Sequence, residues 1–304
     1  MKISIIIPVY NCERYIAQAL DCLRYQTFKN LEVIIVLDGC TDGTESIVKT
    51  YKGKLDLKII KLDENHGLSV ARNAACKKVT GDFIHFMDAD DIVSVNFYQE
   101  MISAATHADA DIAMSSFANE RMPKDSVIYD APLVLCEKQD MLDYTQCDRH
   151  GFSPRFLIRR QFWKKNNFAF PEDMRSIEDL ALMIKVIYAA ERLVLTPLAV
   201  YFYKFRANSI ITSQNPESIK QKRNNRKKAT LAVKQFLQTI NLSPSKKPIY
   251  STKYKLFGKI PIAETKFLTD RSTLNFYVFG ILIFSRKFYT NNNMIGMQIQ
   301  QARV

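Results

Sequence analysis

Three carboxylates occupy four consecutive positions directly after an apolar run. The segment reads Phe83-Ile84-His85-Phe86-Met87-Asp88-Ala89-Asp90-Asp91, which is typical of a buried strand that ends in a polar loop. Carboxylates this dense repel one another. A hard cation such as Mg²⁺ or Mn²⁺ offsets them and shares its remaining positions with substrate phosphates. The alternative is a strand that leads into a helix, with Asp91 as its N-cap. This segment alone leaves both interpretations open.

A second acidic pair, Glu178-Asp179, comes much later in the chain. The segment after it predicts a helix with one apolar face, formed by Leu180, Met183, Ile184 and Ile187. A carboxylate near a hydroxyl can act as a general base. The arrangement Ser176-x-x-Asp179 also fits a helix cap, and acids are favoured in a first helical turn. The residues alone favour the capping interpretation.

The elements that would position these acids alternate between strands and helices. Residues 2–9 are a β-branched run without amphipathic period, as in a strand buried on both faces. Further strands are predicted at 31–37, 57–62 and 83–87, with helices between them, and Asn11 can cap the first helix. The order β-α-β-α-β-α-β predicts a doubly wound, Rossmann-like α/β sheet that is mostly parallel. A helix over 92–105 and a strand over 110–117 follow.

Polar or conformationally permissive residues lie at or just after the carboxyl end of each of the four predicted strands. They are Pro8, Tyr10 and Glu13, then Asp38, then Asn65 and Gly67, and finally Asp88 and Asp90. Ligands of such sheets bind beyond the carboxyl ends of the strands. No GxGxxG follows the first strand, which disfavours a dinucleotide-dependent dehydrogenase.

Five ordered segments are similar to the nucleotide-binding motifs of family 2 glycosyltransferases. They are residues 5–11, Gln26-Thr27-Phe28, residues 38–44, residues 65–73 and residues 87–91. The resemblance covers roughly residues 1–210. The chain departs from the family at Leu37, where a second acid is frequent, so only Asp38 can recognise the base. It also has Cys40 where serine is usual.

This resemblance implies a GT-A fold that binds a nucleotide-diphosphate sugar. Asp38 would accept a hydrogen bond from a uracil ring nitrogen, Tyr10 would pack against the base, and Arg72 would contact the diphosphate near a helix N-terminus. The alternatives are an Asx turn at Asp38, a core aromatic and a surface arginine. The other expected donor contacts are Pro8, Glu13, Asn65, Gly67, Asp88, Ala89 and Arg206. For Glu13 the alternative is a favourable position in the first helical turn.

The resemblance also assigns the metal and the base. Asp88 would contact the ribose or the metal's water shell, and Asp90 would ligate Mn²⁺ or Mg²⁺, which neutralises the departing diphosphate. Asp91 is expected to be a structural cap. The pair Glu178-Asp179 stands where the family carries its catalytic base, so Asp179 is the predicted base. An SN2-like displacement would then invert the anomeric configuration.

The basic residues are concentrated in the last third of the chain. Residues 201–304 carry 19 Lys and Arg but three Asp and Glu, whereas the whole chain has a net charge of +12. This asymmetry predicts a separate region with an anionic partner. We therefore divide the chain into a catalytic domain, 1–213, and a basic extension of helical and aromatic segments, 214–304. The six cysteines have no metal-ligand spacing and are expected to be reduced.

A weak repeat with a spacing of 22 residues lies in the basic extension. Tyr254-Lys255-Leu256-Phe257-Gly258-Lys259-Ile260-Pro261-Ile262 resembles Phe276-Tyr277-Val278-Phe279-Gly280-Ile281-Leu282-Ile283-Phe284. Aromatic segments flanked by basic residues suit an anionic membrane surface. The alternatives are short strands that pack on the enzyme, and nucleic-acid binding, which is the least favoured. No apolar run reaches the length of a membrane span.

Together these features predict an inverting, metal-dependent glycosyltransferase. It would move a hexose or N-acetylhexosamine from a UDP-sugar to a glycan or glycolipid, such as lipopolysaccharide or capsule. We expect it in the cytoplasm, peripherally bound to the inner face of a bacterial cytoplasmic membrane. The alternative is a non-catalytic, membrane-associated nucleotide- or glycan-binding protein with the same fold.

Overall fold

The chain is described here by a computed structural model. It covers residues 1–120, 123, 126–129, 131–205 and 215–245, and the backbone of four strands between 250 and 289. Two compact units result, Met1–Pro244 and Ser245–Val304. The predicted contact residue Arg206 lies outside the described residues.

The first unit alternates strands and helices, as predicted. Its strands are β1 (Ile3–Val9), β2 (Leu31–Asp38), β3 (Asp56–Leu62), β4 (Phe83–Phe86), β5 (Ile92–Val93), β6 (Ile112–Asn119), β7 (Leu133–Leu135), β8 (Phe156–Arg159) and β9 (Leu193–Tyr203). Its helices are α1 (Ile16–Arg24), α2 (Thr44–Lys49), α3 (Leu68–Cys76), α4 (Phe97–His107), α5 (Lys138–Thr145), α6 (Arg160–Lys165), α7 (Glu178–Ala189) and α8 (Pro216–Ile240).

Within the described residues these strands form one nine-stranded sheet. The order is β3-β2-β1-β4-β8-β6-β9-β5, and β7 pairs with β9. The strands β3, β2, β1 and β4 are parallel, and so are β6 and β9, whereas β8 runs antiparallel between β4 and β6. The predicted doubly wound, mostly parallel sheet is therefore confirmed.

Helices cover both faces of this sheet. The β1 and β2 strands are buried at every position, which explains their unbroken apolar sequence. Alternate residues point to opposite faces. Ile6 and Ile34 accordingly pack in the core with α3 and α7, whereas Ile5 and Val33 pack in the core with α1 and α4. This double burial fixes the strand ends that carry the candidate site.

Two predicted elements differ in the structure. The predicted helix over 92–105 begins only at Phe97, because Ile92 and Val93 pair antiparallel with β9. Asn11 does not cap α1, which begins at Ile16; its side-chain oxygen accepts a hydrogen bond from the Thr41 backbone N–H instead. Both differences come from contacts distant in sequence.

The helical segment of the predicted basic extension is α8, and it belongs to the first compact unit. Asn215 caps it by accepting a hydrogen bond from the Glu217 backbone N–H at 2.9 Å. Its buried residues are Ala229, Val233 and Leu237, and Phe236 packs edge-on against Tyr188 of α7. The unit thus extends to Pro244, beyond the boundary drawn at 213. The functional division at 213 stays a prediction.

The second unit contains a four-stranded antiparallel sheet among its described residues. Its strands are β10 (Tyr250–Leu256), β11 (Ile260–Leu268), β12 (Arg271–Val278) and β13 (Ile281–Tyr289), paired in that order. Each copy of the repeat spans parts of two paired strands. The pairing register shifts at Tyr254/Lys255 and again at Phe276/Tyr277, which are equivalent repeat positions. Among the helices that are described, none has the length and apolarity needed to cross a bilayer.

Candidate active site

The loops after β1 and β2 are joined by hydrogen bonds. Thr41 donates its backbone N–H to the Asn11 side-chain oxygen at 2.9 Å, and Gly43 donates its backbone N–H to Glu13 Oε2 at 2.9 Å. Glu13, a predicted donor contact, therefore bridges these two loops. Tyr10 lies at this edge with 47% of its surface exposed, so it is not a core aromatic.

Asp38 fixes the loop that precedes α3. Its two carboxylate oxygens accept backbone N–H bonds from His66 and Gly67, both at 2.9 Å. The loop approaches so closely that a Cβ on Gly39, whose φ is +65°, would lie 2.5 Å from the Asn65 nitrogen. The bonds reach another loop rather than closing the turn of Asp38 itself. The predicted contact with uracil stays a prediction.

Arg72 joins the two acidic motifs. Its Nη1 donates to Glu178 Oε1 at 2.7 Å and to Asp179 Oδ1 at 2.8 Å, and its Nη2 donates to Asp88 Oδ1 at 3.1 Å. Only 2% of the Arg72 side chain is exposed, so it is not a surface arginine. The segments around 88 and 178 thus meet at one guanidinium. The contacts of Arg72 described here are with carboxylates, and its predicted contact with the diphosphate stays a prediction.

Phe170 and Asn73 hold Arg72 in place. The guanidinium lies over the Phe170 ring at 5.0 Å from its centroid, a cation–π distance. Asn73 accepts a hydrogen bond from the Phe170 backbone N–H and donates one to its carbonyl, both at 2.9 Å. The residue after Arg72 therefore fixes the ring against which Arg72 packs.

Asp179 is oriented by the loop at 151–153. Its Oδ2 accepts hydrogen bonds from the Ser153 backbone N–H at 3.0 Å and from the Ser153 hydroxyl at 2.9 Å. The loop is so close to the start of α7 that a Cβ on Gly151 would lie 2.3 Å from the Leu180 Cα. Ser153 and Gly151 were not predicted, because neither forms a pattern with the acidic pair.

The start of α7 does not show the capping arrangement. The residue before the helix is Ile177, whose apolar side chain makes no capping hydrogen bond. Ser176 accepts a hydrogen bond from the Asn225 side chain of α8 at 3.1 Å. Ile177 has a φ of +63°, which is uncommon for a β-branched residue and is typical of strain at functional sites. Ser176 therefore does not form the capping arrangement with Asp179, although Glu178 and Asp179 do lie in the first turn of α7, as the alternative interpretation expects.

The acids around Arg72 carry excess negative charge. Burial raises the pKa of Glu178, and the neighbouring Asp179 adds to this effect while Arg72 opposes it. Burial and the carboxylates of Asp90 and Asp179 likewise raise the pKa of Asp88 against the opposing effect of Arg72. Burial disfavours the charge of Arg72, but its carboxylate partners outweigh this and raise its pKa. One cation is thus shared among several acids.

Asp91 has a structural role that differs from a helix cap. It is fully buried and accepts hydrogen bonds from the Tyr201 hydroxyl and the Lys204 backbone N–H, both at 2.8 Å. Tyr201 in turn accepts the Asp88 backbone N–H at 3.2 Å. Burial, reinforced by the carboxylates of Asp88 and Asp90, raises the pKa of Asp91. Asp91 thereby ties β9 to the loop that carries the other two acids.

The donors at 88–90 fit a divalent cation that also binds phosphate. Among the described residues, no group of three or more His, Cys, Asp or Glu side chains could enclose a metal alone. Asp88 and Asp90 supply hard oxygen ligands, and Mg²⁺ typically takes one or two carboxylates and completes its shell with phosphates. Of the remaining predicted contacts, Pro8 and Ala89 are buried and Asn65 is half-buried.

Comparison with known proteins identifies relatives of this chain. The model of the family described as Glycosyl transferase family 2 matches residues 4–168. EpsJ of Bacillus subtilis, named an uncharacterized glycosyltransferase, is 31% identical over 219 residues, which are 68% of this chain and 62% of EpsJ. The poly(ribitol-phosphate) beta-N-acetylglucosaminyltransferase TarS of Staphylococcus aureus is 32% identical over 209 residues, 67% of this chain and 35% of TarS.

Solved structures of TarS are similar to this fold. The crystal structure of TarS 1–349 in complex with UDP-GlcNAc has a TM-score of 0.65 and 25% identity. The alignment covers 78% of this chain and 72% of that one.

Proposed function

This chain belongs to glycosyl transferase family 2 and has the GT-A fold, and we propose that it transfers a hexose or N-acetylhexosamine from a UDP-sugar to a hydroxyl of a bacterial surface glycan. The observation that carries this proposal is the convergence on Arg72. One guanidinium holds Asp88, of the predicted donor and metal site, beside Asp179, the predicted base.

The donor is a UDP-sugar. Support comes from the TarS complex with UDP-GlcNAc and from the strand-end loops of this chain. Tyr10 is exposed where a base could stack, and Asp38 is the last residue of β2. A carboxylate has about four acceptor sites, so Asp38 can bond to uracil while it holds His66 and Gly67. Asn65 and Gly67 lie beside His66 in the loop between β3 and α3.

A divalent cation, Mn²⁺ or Mg²⁺, assists the reaction. Asp90 would ligate it, and Asp88 would contact it directly or through water. When bound, such a cation stabilises the charge that develops on a departing diphosphate. The excess of carboxylates over cations around Asp88 supports this assignment.

Asp179 is the general base. It would take the proton of the acceptor hydroxyl as that oxygen bonds to the anomeric carbon and UDP leaves from the opposite face, which inverts the configuration. Arg72 and Ser153 each bond to one of its oxygens and fix its orientation. Glu178 shares Arg72 with it and balances the arginine's charge.

The acceptor is a surface glycan such as lipopolysaccharide or capsule, assembled at the inner face of the cytoplasmic membrane. Ten of the 19 basic residues of positions 201–304 lie after Pro244, and they suit an anionic membrane surface. The paired strands β10–β13, in which the aromatic repeat lies, would provide peripheral attachment.

Calorimetric titration of UDP tests the donor site. We expect the wild type to bind UDP in the presence of Mn²⁺ and to bind it much more weakly with EDTA. Asp90→Ala should abolish the gain in UDP binding that Mn²⁺ gives. Asp82 is an exposed acid at the other end of β4, and Asp82→Ala should leave this gain unchanged. Equal binding with Mn²⁺ and EDTA would contradict metal dependence. No UDP binding under either condition would contradict the uridine donor.

A further inference from the structure

Helix α8 presents a row of basic side chains that the proposed reaction does not use. We define the α8 basic face by Arg223, Arg226, Lys227 and Lys234, which line a shallow depression together with Thr230 and Leu231. Spacings of three, four and seven residues place them on one side of the helix. All four cations are exposed.

These charges are not compensated by nearby acids. Residues 216–234 hold seven Lys and Arg but one acid, Glu217. None of the four cations of the α8 basic face forms an ion pair with a described residue, whereas Lys228, on another side of α8, pairs with Asp173. Like charges one turn apart destabilise a helix. An anionic partner would remove this repulsion.

One end of the α8 basic face lies level with Ser176 along the helix axis. Asn225, between Arg223 and Arg226 in sequence, donates to Ser176, which is three residues before Asp179. The two arginines therefore lie within about 3 Å of Asn225 along the axis. At about 100° of rotation per residue, Arg226 lies about 100° and Arg223 about 160° round α8 from Asn225, so both point to other sides of the helix than the one that contacts Ser176. A polymer could contact both places, but a small ligand could not.

The composition of α8 favours a hydrophilic polyanion over a lipid surface. An interfacial helix buries its apolar side in the membrane. The apolar side of α8, with Val233 and Leu237, is already buried within the protein, and Leu231 is its one large apolar side chain among the exposed residues. The cations extend from Arg223 to Lys234, about 16 Å along the axis. A row of cations of this length can pair with successive anionic groups along an extended polymer.

We propose that the α8 basic face binds the acceptor, and that the acceptor is a glycan or polyol chain joined by phosphodiester groups. Arginine forks bind phosphate oxygens in pairs, and lysines add point charges. Bound in this way, the chain presents its hydroxyls to Asp179 beyond Ser176. This inference rests on the proposed function for the reaction, but the binding surface can be tested separately.

The test measures binding of fluorescently labelled poly(glycerol phosphate) to the full chain. The test variant carries Arg223→Gln, Arg226→Gln, Lys227→Gln and Lys234→Gln. The control carries Lys77→Gln, Lys78→Gln, Lys164→Gln and Lys165→Gln, which remove the same charge from exposed positions elsewhere in the first unit. We expect the test variant to lose at least about tenfold in affinity and its salt dependence (slope of log K against log salt) to fall by about three. The control should resemble the wild type.

Other outcomes separate the possible partners. Equal losses in the test and control variants, or no loss in either, would overturn the α8 basic face as the binding surface. Vesicles of equimolar phosphatidylglycerol and phosphatidylcholine form the lipid arm. Loss of vesicle binding in the test variant, without poly(glycerol phosphate) binding by the wild type, would overturn the proposal in favour of lipid. Calorimetry with UDP distinguishes the donor site, because the test variant should bind UDP as the wild type does.

Discussion

Arg72 is the residue that holds the candidate site together. It is almost fully buried, and the carboxylates of Asp88, Glu178 and Asp179 share its charge. We expect Arg72→Met to lower the free energy of unfolding by about 3–5 kcal/mol, because removing one partner leaves buried charges unpaired. Urea denaturation at pH 7 measures this. Arg72→Lys keeps the positive charge but loses the forked guanidinium. Its free energy of unfolding should therefore lie between those of the wild type and the Met variant. A Met variant as stable as the wild type would contradict this role.

Ser153 is expected to position Asp179 rather than to bind the donor. Ser153→Ala removes the hydroxyl bond to Asp179 Oδ2 and keeps the backbone bond. One lost hydrogen bond of about 1–1.5 kcal/mol corresponds to a roughly tenfold lower kcat. The KM for the UDP-sugar should not change. Ser115→Ala is the control, since the buried Ser115 hydroxyl has no hydrogen-bond partner among the described residues. An increased KM with unchanged kcat would place Ser153 at the donor instead.

At the residue scale, the acidic residues of the candidate site could be predicted from the sequence. The residues that hydrogen-bond to them or pack against them could not. Asp38, Asp88 and Asp179 stand in motifs that can be read from neighbouring residues. Ser153 reaches Asp179 across 26 positions and Tyr201 reaches Asp91 across 110, and no local pattern encodes such distances. Gly151 gave no signal either, because its function is the absence of a side chain against Leu180.

At the scale of the sheet, Glu32 anchors the end opposite the candidate site. This buried residue of β2 accepts hydrogen bonds from the Ser4 hydroxyl, from the Thr80 and Gly81 backbone N–H groups and from Lys58. Burial opposes its charge, but these bonds outweigh burial and lower the pKa of Glu32 well below its usual 4.5. A depressed pKa stabilises the fold above pH 4.5, and this stabilisation is lost as pH falls towards the folded pKa.

Glu32→Gln tests this pH dependence. Relative to the wild type, the variant should have a lower free energy of unfolding at pH 7, and the difference should shrink as pH falls below about 4.5. Urea denaturation at a series of pH values measures both curves. Glu64→Gln is the control, because 82% of the Glu64 side chain is exposed. A difference that grows on acidification would contradict the assignment.

Some secondary-structure elements can be predicted from local sequence alone, and others cannot. The strands β1 and β2 are buried on both faces, so their composition alone identifies them. The two-residue strand β5 is not identifiable, because it exists only through pairing with Tyr201 and Phe202, more than 100 positions away. The antiparallel insertion of β8 likewise depends on partners in β4 and β6.

At the scale of the whole molecule, the compact units predict where the chain can be divided. A chain of residues 1–244 should fold and bind UDP, because α8 completes the core around α7. A chain of residues 1–213 should unfold at lower urea, since it loses Ala229, Val233 and Leu237 from that core. Circular dichroism and UDP calorimetry on both chains measure this. Equal stability of the two would show that α8 is dispensable and would favour the boundary at 213.

The most direct test of the central claim is sugar transfer by Asp179→Asn. UDP release from UDP-GlcNAc, with cell-envelope glycan as acceptor, should fall about 10²–10⁴-fold, because the hydroxyl loses its base. UDP binding should survive, and Asp173→Asn, at an exposed acid before α7, should behave as the wild type. Unchanged transfer by Asp179→Asn would contradict Asp179 as the base and, with it, the mechanism proposed for this site.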